Sequence, residues 1–126
     1  MITVIRKVVV AVSALAALVA VPAFAADPVV VIVKVFPTAG REDELQAQYL
    51  KRIEYLRKAE PNATFRLHRS TRSPVTFLWY EVYPSQDAYE NHVKVVMPAS
   101  RKDLGPTPEG VIARPSESET YIELAK

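Results

Sequence analysis

Few side chains in this sequence could perform chemistry, and their types narrow the possible reactions. The sequence contains no cysteine, which excludes a thiol nucleophile, disulfides, cysteine zinc sites and iron–sulfur clusters. Its two histidines, His68 and His92, are too few for a three-histidine metal site. What remains is proton transfer by a neutral imidazole, whose ordinary pKa is about 6.5, or binding by aromatic and charged side chains.

His92 is the best candidate for a general base. It follows Ala88 and precedes Val96 at helical spacing, so the three residues share one helix face, which should turn towards a sheet. Two interpretations remain open. His92 either removes a proton from a bound ligand or is a core histidine hydrogen-bonded to a backbone carbonyl.

Aromatic residues alternate along one predicted strand, residues 76–83. Successive side chains of a strand point in opposite directions, so its two faces carry different residues. One face has Phe77, Trp79, Glu81 and Tyr83, and the other has Leu78, Tyr80 and Val82. One set should line a pocket beneath the helices and the other should meet a partner subunit, but the sequence does not decide which. Trp79 is either a pocket wall or a core or interface anchor. Glu81 needs a partner if it is buried, and Arg66 or Lys34 could provide one.

Two further polar residues, Arg66 and His68, share a face of the preceding strand. They could hold a phenolate or a carboxylate, or they could belong to a solvated face. The candidate substrate-binding residues are therefore Trp79, Tyr83, Glu81, Arg66 and His68. The sequence has no phosphate-binding glycine loop, nucleophile elbow or metal-binding helix motif, so no metal and no cofactor are expected.

These residues lie on a predicted order of strand, helix, strand, strand, helix, strand. The apolar and turn patterns predict strands at 29–36, 64–69, 76–83 and 120–124 and helices at 41–59 and from Ser85 onwards, where Ser85 is the expected N-cap. Pro98 should bend or stop the second helix, and residues 103–118 should form a long loop. The fold class is α+β: a ferredoxin-like βαββαβ arrangement with an antiparallel sheet and both helices on one face.

The first predicted strand, VVVIVKVF, is almost entirely apolar, which indicates burial on both faces. Because the helices cover only one face of such a sheet, something must cover the other. A second copy of the chain, packed sheet against sheet, is the simplest answer and predicts a homodimer.

Residues 1–25 have the features of a secretory signal peptide. Arg6 and Lys7 precede an uncharged apolar run, and Ala23-Phe24-Ala25 fits a cleavage site after Ala25. The run is shorter than the roughly 20 residues of a spanning helix, so cleavage is preferred to an uncleaved anchor. We expect one domain, residues 26–126, in the periplasm or secreted. Without Arg6 and Lys7, the 16 basic residues fall to 14, equal to the 14 acidic ones. This balance predicts no binding to nucleic acid and, after cleavage, none to membranes.

Several segments together resemble the antibiotic biosynthesis monooxygenase family: Glu60-Pro61 at the helix end, Glu81-Val82-Tyr83, and the stretch from Asp87 to His92, within the predicted element order. The resemblance implies a dimeric α+β barrel and oxidation of quinols or phenols by O2 without metal or flavin. A haem-degrading branch uses an asparagine on the first strand, which is missing here, and Met97 replaces a second histidine of the quinol-oxidising type.

Two functions from different classes follow from this reasoning. The first is an exported cofactor-independent monooxygenase that oxidises a small aromatic quinol or phenol, with His92 as the base and Trp79 and Tyr83 among the pocket walls. The alternative is a non-catalytic dimeric binding protein for a small hydrophobic ligand. A structural stress protein without a ligand is a third possibility, and it predicts a collapsed pocket.

Overall fold

The computed structural model describes residues 26–125, and its elements follow the predicted βαββαβ order. The four strands are β1 (Val29–Pro37), β2 (Thr64–Arg69), β3 (Phe77–Tyr83) and β4 (Ile112–Ile122). The first helix is α1 (Glu42–Ala59), and the 86–104 segment consists of α2 (Gln86–Asn91), a π-helical turn (His92–Val96) and α3 (Met97–Leu104). The predicted signal peptide and its cleavage site lie outside the described residues. Within residues 26–125, no helix is long and apolar enough to cross a membrane.

The strands form one antiparallel sheet in the order β2-β3-β1-β4. The central pair aligns Val31 with Glu81 and Val33 with Trp79, so these side chains share a face. Leu45, Tyr49, Ile53 and Leu56 of α1 pack in the same buried cluster as Val31 and Trp79. The face of β3 that carries Trp79 and Glu81 is therefore the face beneath the helices, a point that alternation alone left open.

Helix α1 follows from the charges at its ends and one apolar stripe. Acidic residues occupy its first turn and basic residues its last turn, which suits the helix dipole. The stripe is buried, with Leu45 fully enclosed. The helix ends at Glu60, whose backbone N–H still bonds to the carbonyl of Leu56, and Pro61 prevents continuation.

The 86–104 segment excludes one of the two predicted effects of Pro98, which is that it stops the second helix. Ser85 is the N-cap, as predicted, and its hydroxyl accepts a hydrogen bond from the Ala88 N–H at 3.1 Å. The helix does not stop at Pro98 but continues to Leu104. The preceding turn widens, so that the Met97 N–H bonds to the His92 carbonyl in a π-helical pattern. Widening moves the earlier carbonyls away from the proline ring, which would clash with them in a regular α-helix.

The predicted loop over residues 103–118 is too long, because α3 runs to Leu104 and β4 begins at Ile112, before the strand predicted at 120–124. Its proline and polar residues resemble a loop, yet β4 is an edge strand with exposed side chains, where no apolar alternation is required. Pro115 lies where the register with β1 shifts by one residue between Arg114 and Glu117. A missing N–H is tolerated at such a bulge.

The face opposite the helices is apolar at its centre. Val30 and Ile32 of β1 lie beside Val82 and Tyr80 of β3, with Leu78 further along the same face. All of these except Val30, which is buried, are partly exposed to solvent in the single chain.

Leu45→Ala should destabilise the domain by about 2–5 kcal/mol, because it removes a fully buried side chain from the α1 stripe and leaves a cavity. Leu50→Ala on the same helix is the matched control. Leu50 is 50% exposed, so its truncation should change the free energy of unfolding by no more than about 0.5 kcal/mol. Urea denaturation followed by circular dichroism measures both, and equal losses would contradict the packing of α1 described above.

Candidate functional site

Two adjoining cavities lie between the sheet and the helices, and together they form the cleft. The Trp79 cavity, of about 250 Å³, is also lined by Tyr49 and Arg52. The His92 cavity, of about 270 Å³, is also lined by Tyr89. They share four wall residues: Val33, Glu81, Met97 and Arg101. The predicted base and the predicted aromatic wall therefore border neighbouring parts of one cleft, whose combined size suits a small ligand.

His92 begins the π-helical turn, and its side chain is paired with a carboxylate. It is 4% exposed, and its Nδ1 lies 2.7 Å from Oε2 of Glu60. Because a carboxylate only accepts hydrogen bonds, the proton of a neutral imidazole belongs on Nδ1. Nε2 is then a free acceptor, and it has no hydrogen-bond partner within residues 26–125. The core interpretation of His92 expected a backbone carbonyl as its partner instead.

Glu60 is a site residue that was not predicted, because in the sequence it was recognised only as part of the segment that ends the first helix. It lies at the C-cap of α1, after Arg57 and Lys58. An acidic residue there opposes the negative end of the helix dipole, and this conflict was an available indication that its side chain serves another purpose. The Glu60 side chain is 10% exposed where it meets His92.

Aromatic rings enclose the imidazole. The ring centroid of Tyr83 lies 5.0 Å from that of His92, and the ring centroid of Phe65 lies at 5.8 Å. Both rings are almost fully buried, so the Glu60–His92 pair lies in a medium of low polarity, where a hydrogen bond is electrostatically stronger than in water. Tyr83 was a candidate pocket wall, but it lies behind His92 and lines neither of the two cavities of the cleft.

Glu81 lines both cavities and has a different partner from the one predicted. The Tyr83 hydroxyl donates a hydrogen bond to Glu81 Oε2 at 2.7 Å. Burial raises the pKa of Glu81, while the Tyr83 hydrogen bond and the nearby His92 oppose part of that rise. Burial and the Glu81 carboxylate together raise the pKa of Tyr83. The predicted pairing of Glu81 with Arg66 or Lys34 is wrong, because both lie on the opposite face of the sheet.

The structure does not bring Arg66 and His68 into the cleft. Arg66 lies opposite Tyr80, and His68 lies opposite Leu78, on the face away from the helices. Both side chains are exposed, and neither lines a cavity of the cleft.

The Trp79 cavity combines an aromatic wall with a buried cation. The rings of Trp79 and Tyr49 meet edge to face at 5.2 Å between centroids, and Trp79 is 5% exposed. Arg52 is equally buried, and its Nε and Nη2 have no hydrogen-bond partner within the described chain. Burial lowers the pKa of Arg52; the nearby Tyr49 opposes part of this change, and the charge of Arg101 adds to it.

Arg52 is the second site residue that the sequence reasoning missed. It follows Leu45 by two helical turns and precedes Ile53, so it lies on the apolar stripe of α1. A charged residue in that stripe was the available indication. Between residues 26 and 125, no group of three or more acidic or histidine side chains is placed to hold a metal ion.

Comparisons with known proteins agree with this architecture. Residues 28–95 match the model of the family described as antibiotic biosynthesis monooxygenase. A proposed antibiotic biosynthesis monooxygenase from Caulobacter crescentus is 18% identical with a TM-score of 0.66, covering 80% of this chain and 93% of that one. A Mycobacterium tuberculosis protein is 21% identical with a TM-score of 0.60, covering 79% and 97% respectively. No protein with a curated description matches the chain.

At these identities the solved structures establish the fold: a ferredoxin-like α+β domain with a four-stranded antiparallel sheet, as the sequence predicted. The family match extends over β1, α1, β2, β3 and the beginning of the 86–104 segment, including His92 and Glu60. The chain therefore belongs to the antibiotic biosynthesis monooxygenase family.

Proposed function

We propose that this protein is an exported, cofactor-independent monooxygenase that oxidises a small aromatic quinol or phenol with O2. One observation carries the proposal: His92, held by Glu60 at 2.7 Å, borders a cleft whose other cavity is walled by Trp79 and Tyr49. The family match is consistent with this chemistry. Export rests on the amino-terminal sequence alone.

The first step of the proposed reaction is removal of a phenolic proton. A substrate hydroxyl within reach of His92 Nε2 gives its proton to the imidazole, and the Glu60 carboxylate stabilises the imidazolium that forms. This is the role that an acidic partner plays for a histidine base: it fixes the tautomer and the ring orientation. The product of the step is an electron-rich phenolate inside a largely apolar cleft.

The second step consumes O2. The phenolate passes one electron to O2, and the resulting phenoxyl radical and superoxide combine at a ring carbon that carries hydrogen. The peroxide takes the proton from the imidazolium. The ring carbon then gives its hydrogen as a proton to the neutral imidazole while the O–O bond breaks and hydroxide leaves, and the proton and hydroxide combine as water. The products are a quinone and one water molecule, so substrate plus O2 equals quinone plus water. The walls of the cleft keep the anion and the radicals away from bulk solvent.

Glu81 is placed to support the proton transfers. It lies in the wall that the two cavities share, and its raised pKa lets it hold a proton at a higher pH than an ordinary glutamate does. We propose that it exchanges protons between the cleft and the His92 region.

A non-catalytic binding protein is the second candidate, and one observation favours it. His92 is only 4% exposed and packs between Phe65 and Tyr83, as a core histidine would. In that case the cleft would bind a small hydrophobic molecule but would not accelerate its oxidation.

A homodimer completes the proposal. The apolar centre of the sheet face opposite the helices is partly exposed in the single chain, and members of the family are commonly dimeric. A second copy packed against this face would bury it and close the two sheets into an α+β barrel.

His92→Gln should lower the rate of O2 uptake by about 10²–10⁴-fold, because it removes the base. Glu60→Gln should cause a smaller loss, because an amide can still hold the ring but does not stabilise imidazolium. An oxygen electrode measures both with a panel of hydroquinones and polycyclic phenols, after subtraction of spontaneous oxidation. His68→Gln is the matched control, because His68 lies on the sheet face away from the cleft, and it should leave the rate unchanged. If wild type and His92→Gln consume O2 equally slowly, or if only His68→Gln is inactive, this mechanism fails.

Glu81→Gln should make the folded protein more stable at neutral pH. Because the pKa of Glu81 is raised in the folded state, the folded protein binds more protons than the unfolded one between the ordinary and the raised value. Wild type therefore loses stability as pH rises through that window, whereas the glutamine variant keeps an acceptor for Tyr83 and loses nothing. Urea denaturation from pH 4 to pH 8 should show that the free energy of unfolding of Glu81→Gln exceeds that of wild type by an amount that grows with pH. If the difference in stability between Glu81→Gln and wild type stayed constant or reversed as pH rises, the raised pKa of Glu81 in the folded state would be refuted.

Ile32→Glu should convert the dimer into a monomer, because it places a charge at the apolar centre of the proposed interface, beside Tyr80. Val95→Glu is the control on the helical side, where Val95 is 57% exposed. Light scattering on residues 26–126 measures the mass of each. A stable wild-type monomer, or a variant that remains a dimer, would contradict the proposed assembly.

A further inference from the structure

We infer that the Trp79 cavity binds an aromatic carboxylate, held by Arg52 through both donors on one edge of its guanidinium group. The inference deepens the proposed function, on which it rests, by naming the substrate class of the same cleft. A quinol or phenol need carry no charge. Arg52 points instead to a hydroxylated aromatic acid.

The first observation is the unpartnered guanidinium. Arg52 is 5% exposed, it lines the Trp79 cavity, and both Nε and Nη2 are buried without a partner in residues 26–125. These two nitrogens form one edge of the guanidinium, and their parallel N–H groups match the two oxygens of a carboxylate. The guanidinium group can turn this edge towards an entering carboxylate without breaking a hydrogen bond, because Nε and Nη2 have no hydrogen-bond partner in the described chain.

A purely structural role does not account for Arg52. Its neighbours in the α1 stripe are apolar and well packed, and a leucine or methionine would fill the position without a buried charge. A buried guanidinium that lacks a partner carries a large desolvation cost. Such a residue is explained when a ligand supplies the missing carboxylate.

The charged side chains around the cavity also favour a ligand that carries a carboxylate. Three charged side chains line it within the described chain: Arg52, Arg101 and Glu81. Burial raises the pKa of Glu81 and so favours its neutral form. The two arginines therefore leave the cavity with an excess of positive charge, which a ligand carboxylate neutralises.

The remaining walls select the rest of the ligand. Trp79 and Tyr49 offer ring faces and edges to an aromatic group. Glu81 and Met97 belong to both cavities, so a ring bound beside Arg52 can extend past them towards His92. The carboxylate end and the reacting hydroxyl would then occupy opposite ends of the cleft.

Trp79 is the only tryptophan in the chain, so its fluorescence reports binding directly. The titration uses hydroxylated benzoates and naphthoates and the matching carboxamides, without O2, so that no oxidation occurs. Wild type should bind at least one carboxylate about 10-fold or more tightly than its amide. Arg52→Gln should abolish this preference, and Arg52→Lys should retain only part of it, because lysine keeps the charge but not the paired donors. Lys51→Gln, which removes an exposed charge one residue away, should leave the preference unchanged.

A second readout guards against a variant that fails to fold. Without ligand, Arg52→Met should raise Tm by about 4 °C or more, because it removes an unpaired buried charge. Equal affinity of wild type for every acid and its amide, an undiminished preference in Arg52→Gln, or a lower Tm for Arg52→Met would each overturn the inference. Binding without O2 separates this result from the proposed oxidation. A carboxylate preference with no O2 uptake would refute the oxidation and leave the binding class in place.

Discussion

The hydrogen bond between Glu60 and His92 is the interaction on which the interior of this domain depends. It joins the end of α1 to the start of the π-helical turn, and both partners are almost fully enclosed. Neither group could remain there alone, because an isolated buried carboxylate or imidazolium is strongly disfavoured. The pair therefore ties the two helical segments together, and it leaves Nε2 of His92 without a hydrogen-bond partner in the described chain.

The alternation of side chains along the central strands forms the sheet side of the cleft. Because β1 and β3 are the central strands, Val33, Trp79 and Glu81 lie side by side beneath the helices. The π-helical turn begins at His92, whose side chain lines the same cavity as Val33 and Glu81. Widened helical turns of this kind are frequent at functional sites, and here the turn lies directly before Pro98. Pro98 is thus accommodated within a continuing helix, directly after the widened turn that begins at His92.

Local rules predicted most of the fold, and they failed where tertiary context decides. The bounds of β2, the N-cap at Ser85 and the element order follow from spacing and turn residues alone. The closing strand was predicted at 120–124, but its first part was assigned to a loop because the exposed, proline-containing sequence of β4 has no apolar period. Whether Pro98 ends a helix depends on whether the preceding turn can widen, which composition does not reveal. The partner of Glu81 depends on which face of β3 is covered, and only packing settles that question.

The two site residues that sequence reasoning missed share one physical feature: each contradicts its local element. Glu60 places a negative charge at the negative end of α1, and Arg52 places a positive charge in its apolar stripe. A sequence optimised only for folding would have neither, because both cost stability in the element that carries them. Both conflicts lie at the cleft or next to it, which agrees with the ligand-binding role proposed for it. In Glu60 the conflict is resolved within the chain by His92. In Arg52 the described chain leaves it unresolved, and the carboxylate of the inferred ligand would supply the partner.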